Sequence, residues 1–128
     1  MTLYFESIQF DGLTCAISLA NDDGERRTVT FRYVRNFAFI KESYFGEEFR
    51  NMRTEQILDE NGCETQVLRV LHNPILEQVT MGKFEGEAPL TYCVWTPDEC
   101  FEIWCFEEPE FVEASANSDQ THSKTASC

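Results

Sequence analysis

Residues 90–106 read Leu90-Thr91-Tyr92-Cys93-Val94-Trp95-Thr96-Pro97-Asp98-Glu99-Cys100-Phe101-Glu102-Ile103-Trp104-Cys105-Phe106. Two runs rich in aromatic and β-branched residues flank Pro97-Asp98, so the stretch reads as a hairpin of two strands. Pairing Trp95 opposite Cys100 gathers Leu90, Tyr92, Val94, Phe101, Ile103 and Cys105 on one apolar face, the expected core side. The other face carries Thr91, Cys93, Trp95, Cys100, Glu102, Trp104 and Phe106. Large aromatics mixed with a carboxylate make an unusual face for solvent alone.

Strand signals continue toward the N-terminus. Asp11-Gly12 is a two-residue hairpin signal that sets Phe10 opposite Leu13, Ile8 opposite Cys15, Glu6 opposite Ile17 and Tyr4 opposite Leu19. That register puts Tyr4, Ile8, Phe10, Leu13, Cys15, Ile17 and Leu19 on one face. After a turn at Asn21-Asp22-Asp23-Gly24, Val29, Phe31 and Tyr33 alternate with Thr28, Thr30 and Arg32, and the segment runs on through Phe37, Phe39 and Ile40 as a bent or broken strand. Ser43 caps a short helix with Phe45, Phe49 and Met52 on one side, Glu47 and Glu48 in its early turns and Arg50 and Arg53 late. A loop at Asp59-Glu60-Asn61-Gly62 leads to a strand over 63–72 that Asn73-Pro74 ends. The expected class is α+β: a mostly antiparallel, strongly curled sheet of about six to seven strands with one short packed helix.

The 128 residues are 42% apolar and include 11 Phe, 4 Tyr and 2 Trp, enough for the core of one domain over 1–113. Residues 114–128 carry no bulky apolar side chain and read as a disordered tail. The first basic residue is Arg26 and no apolar run approaches a membrane span, so the chain reads as cytoplasmic, with free thiols at its six cysteines.

No chemical motif stands out. Cys93, Cys100 and Cys105 are wrongly spaced for a zinc site, and the only histidines are His72 and His122. No phosphate loop, nucleophile elbow or dinucleotide fingerprint is present. The expectation is a non-enzymatic protein with no cofactor and no metal.

Charge carries more information. Against 23 Asp and Glu stand 10 Lys and Arg, a net charge of −13, which excludes direct binding to nucleic acid because such proteins need cations to displace counterions. The excess is regional: residues 54–113 hold 14 acidic and 2 basic residues, residues 1–53 hold 8 and 7. Trp95, Glu99, Glu102, Trp104, Glu107 and Glu108 are the candidate partner-binding residues, carboxylates steering a basic protein toward aromatic anchors.

Three stretches, Phe31-Arg32-Tyr33-Val34-Arg35-Asn36-Phe37-Ala38-Phe39-Ile40-Lys41-Glu42-Ser43-Tyr44, Leu68-Arg69-Val70-Leu71-His72-Asn73-Pro74-Ile75-Leu76 and Tyr92-Cys93-Val94-Trp95-Thr96-Pro97-Asp98-Glu99-Cys100-Phe101-Glu102-Ile103-Trp104, together resemble small acidic bacterial proteins that look like immunity proteins of polymorphic toxin systems. The resemblance implies a protein that neutralises a toxin, such as a nuclease, by binding it. Two other classes compete with it, as does an uncharacterised small domain whose acidity serves solubility only. A nucleic-acid mimic would space carboxylates along a ridge, and an enzyme or ligand-binding barrel would need a deep pocket of converging polar groups.

Overall fold

The computed structural model describes residues 2–40, 53–71 and 89–114. Within them the chain is all β: β1 (Tyr4–Phe10), β2 (Cys15–Ala20), β3 (Arg26–Phe31), β4 (Val34–Ile40), β5 (Thr54–Leu58), β6 (Glu64–Val70), β7 (Leu90–Trp95), β8 (Cys100–Cys105) and β9 (Glu110–Ala114). They form two antiparallel sheets, ordered β1-β2-β3-β9 and β4-β8-β7-β6-β5. This corrects the expected α+β class with its single curled sheet. The physical reason lies at Arg32 and Tyr33, where the expected bent or broken strand is broken into two strands of different sheets. Tyr33 takes a left-handed φ of 56° and the chain leaves one sheet for the other. The chain crosses back between β8 and β9. The expected helix beginning at Ser43 lies outside the described residues apart from Arg53. No helix among the described residues is long and apolar enough to cross a membrane.

The inner faces of the two sheets meet in one core. Cys15, Ile17 and Leu19 of β2 alternate inward, as do Val29 and Phe31 of β3, and they face Val67, Tyr92, Val94, Phe101, Ile103 and Cys105. Ring contacts cross the gap: Phe5 lies 5.1 Å from Phe101 and Phe31 lies 5.7 Å from Tyr92. The β7–β8 hairpin has the expected register, Trp95 opposite Cys100 and Val94 opposite Phe101. Each fully buried Phe or Leu contributes roughly 1.5–3 kcal/mol of transfer free energy.

The first hairpin departs from its expectation. Phe10 pairs with Cys15 and Ile8 with Ile17, so the loop spans residues 11–14. Asp11 closes it, its carboxylate accepting from the amides of Leu13 at 2.9 Å and Thr14 at 2.7 Å. These bonds also hold the exposed Asp11 carboxyl below its ordinary pKa, the Thr14 amide contributing most. A register shift between Phe5 and Ser7 then reverses which residues face inward. Leu3 is buried and Phe5 packs on the core, whereas Tyr4, Phe10 and Leu13 are exposed.

Two buried polar side chains tie sheet to sheet. Gln66 sits in β6 with φ 65°, where three successive residues, Thr65, Gln66 and Val67, are buried instead of alternating. Its Oε1 accepts from the Leu3 amide at 2.8 Å, and its Nε2 donates to the carbonyls of Leu3 and Trp95, both at 3.0 Å. Every polar atom of the buried amide is therefore used. Arg27, 4% exposed, donates from Nε to Glu113 at 2.9 Å and from Nη1 to the Glu64 carbonyl at 3.2 Å, and it lies 3.7 Å from Asp59. Cys15, Cys93, Cys100 and Cys105 are buried and outside any disulfide. Cys63 is disulfide-bonded, which corrects the expectation of a free thiol there.

Candidate partner-binding cleft

The edge strands β9 and β5 leave an open cleft of about 680 Å³ between the sheets. Its cause is a row of inward-facing polar residues at the edge of the larger sheet. Arg69 on β6 stands opposite Tyr92 on β7 and opposite Glu55 on β5, and Tyr92 points into the core. Arg69 and Glu55 therefore share the inner face, where charged groups must keep contact with water, and the sheets do not close over them. From the other side, Glu113 and Phe111 face inward because they pair with Arg27 and Val29.

The turn at Asp59-Glu60-Asn61-Gly62 completes the rim. Asp59 Oδ1 accepts from the amides of Asn61 at 2.8 Å and Cys63 at 2.9 Å, and Gly62 supplies the left-handed φ of 80° that the turn requires. Five carboxylates line the cleft: Glu55, Asp59, Glu60, Glu108 and Glu113. Arg27 engages two of them, Asp59 and Glu113. Glu55, Glu60 and Glu108 make no ion pair among the described residues. Ile57, Leu58, Pro109 and Phe111 supply apolar lining, Leu58 being exposed.

At the floor, Tyr92 is 1% exposed. Burial pushes its phenol up to about 12, with smaller contributions from Cys105 and Glu108 that raise it and from Arg69 that lowers it. The phenol is a neutral hydrogen-bonding group at physiological pH. Among the described residues no three His, Cys, Asp or Glu side chains are placed to hold a metal ion. The carboxylates surround a space instead of converging on a point, which suits a larger cationic group.

The six expected site residues do not form one patch. Trp95, Glu102 and Trp104 lie on the outer face of the larger sheet, in register positions opposite Cys100, Cys93 and Thr91. Both tryptophans are half-buried, and the Trp104 indole N–H is buried without a hydrogen-bond partner. Glu99 sits in the β7–β8 turn, its amide donating to Thr96 Oγ1 at 2.7 Å. Glu107 and Glu108 are exposed on the β8–β9 crossover. Glu108 lines the cleft, whereas Glu107 lines a separate depression beside Tyr33 and Phe106. There Arg35 lies over the Phe106 ring, 5.4 Å from its centre.

Sequence reasoning did not single out Glu55, Asp59, Glu60, Arg69 or Tyr92 as site residues. The available signal was the acidic excess of 54–113, which spans both rims of the cleft. Comparison with known proteins leaves the cleft to be read from its own chemistry: no family model, curated protein or solved structure matches the chain.

Proposed function

We propose that the chain is a non-enzymatic, cytoplasmic bacterial binding protein of the immunity type, which neutralises a basic protein such as a nuclease toxin by offering it the acidic cleft. The observation that carries this reading is the trio of unpaired carboxylates, Glu55, Glu60 and Glu108, around an opening with exposed Leu58 and half-buried Phe111. Unpaired carboxylates steer a cationic partner and fix its orientation, and apolar lining slows its departure. Carboxylates gathered round a cleft favour this reading over a nucleic-acid mimic with its ridge of charges.

The test is a titration of a basic nuclease domain encoded beside the chain. Replacing Glu55, Glu60 and Glu108 together by Gln is expected to weaken inhibition more than tenfold, and replacing Glu99 and Glu102 to weaken it less. Undiminished inhibition by the triple variant would overturn the assignment of the cleft.

A further inference from the structure

The cleft is not uniformly negative, and its floor holds two polar side chains with nothing to bind. The Tyr92 ring is packed in the core against Phe31, yet Tyr92 lines the cleft, and no hydrogen bond of its hydroxyl occurs among the described residues. The ring is buried, but the hydroxyl is not among the buried unpartnered polar atoms, so it reaches the cleft as a donor open to a ligand. Across the β6–β7 register stands Arg69, half-buried, whose guanidinium makes no hydrogen bond or ion pair among the described residues. Three unpaired carboxylates line the same cleft, yet none approaches within ion-pairing distance of it.

The two donors at the floor and the three acceptors around them ask for opposite charges. A wholly cationic ligand satisfies Glu55, Glu60 and Glu108 but meets Arg69. An anion alone satisfies Arg69 and meets three carboxylates. We infer that the cleft receives a basic peptide segment of the partner that carries one acidic side chain. Its carboxylate accepts from the Arg69 guanidinium and the Tyr92 hydroxyl, and flanking Lys or Arg side chains reach Glu55, Glu60 and Glu108. Their aliphatic stems lie on Leu58 and Phe111. A volume of about 680 Å³ accommodates several side chains together. This inference rests on the proposed function as a binder of a basic protein and specifies what that site reads.

The probes are two end-capped basic pentapeptides, one with a central aspartate and one with a central asparagine, titrated into the full chain at low salt by fluorescence anisotropy. The aspartate peptide is expected to bind at least tenfold more tightly, although its net charge is less positive. Arg69→Gln and Tyr92→Phe, checked for folding by circular dichroism, should each reduce that preference toward parity while leaving the asparagine peptide bound. Equal or tighter binding of the asparagine peptide to the unaltered chain, still weakened by Glu55→Gln and Glu108→Gln, would overturn this inference and leave the acidic-cleft reading standing. Failure of both peptides to bind would overturn both.

Discussion

Cys15 and Cys105 are 0% exposed, and burial pushes each thiol up to about 11 from an ordinary 9.0. A Cys105 hydrogen bond to the Glu107 carbonyl, 3.2 Å long, offsets part of its shift. Cys93 is raised as well, by burial first and then by Cys100 and Glu102. These groups prefer the neutral form more strongly when folded than when unfolded. The contribution of Cys15 and Cys105 to stability is therefore complete below pH 9.0 and is lost as pH rises through about 11. Each such thiol removes up to about 1.4 kcal/mol per pH unit in that window. The denaturation midpoint is expected to be level from pH 7 to 8.5 and to fall between pH 9 and 11, and a level profile to pH 11 would contradict the burial argument. The same shifts imply slow alkylation at neutral pH, because the thiolate is the nucleophile.

At the level of elements, one turn chemistry recurs. Asn21 Oδ1 accepts from the amides of Asp23 at 3.1 Å and Glu25 at 3.0 Å, as Asp59 does in its own turn, and a left-handed glycine, Gly24 or Gly62, follows three residues on. Asp59 has a second role through Arg27. Asp59→Asn keeps the turn acceptor and removes the charge, so it should cost about 1 kcal/mol or less, whereas Asp59→Ala removes both and should cost roughly 2–3 kcal/mol. Urea denaturation separates these, and equal losses would mean the turn bonds contribute nothing. Both turns were readable because the Asx and Gly types are demanded by the backbone. The β7–β8 register was readable because only one pairing makes a wholly apolar face. The break at Arg32-Tyr33 was legible only as one of two forms, a bent or a broken strand, since neither residue is a turn former and the left-handed conformation of Tyr33 comes from its place between two sheets. The juxtaposition of Arg69 and Tyr92 was not legible for a related reason. Their meeting depends on cross-strand pairing and on the irregular burial at Gln66, which no local alternation reveals.

Across the whole molecule, the charge that serves association works against the fold. A net charge of −13 over 128 residues repels itself, and the described ion pairs, Glu6 with Arg26, Glu110 with Arg32, and Asp59 and Glu113 with Arg27, relieve only part of it. The cleft concentrates the remainder, because its edge strands carry inward-facing Glu55 and a rim of unpaired carboxylates where the sheets stay apart. Salt screens both effects, but with opposite consequences. Raising ionic strength from 0.01 to 0.15 M shortens the Debye length from about 30 to about 8 Å, which relieves repulsion among exposed carboxylates and shortens the reach of steering. The free protein is expected to gain roughly 2–5 °C in Tm over that range, on the order of 1 kcal/mol, by differential scanning calorimetry. Over the same range the association rate with a basic partner should fall by tenfold or more, measured by stopped flow. A Tm that stays level or drops would show that these carboxylates are already neutralised within the folded chain, and an association rate indifferent to salt would place recognition in the apolar lining of the cleft and not in its charge.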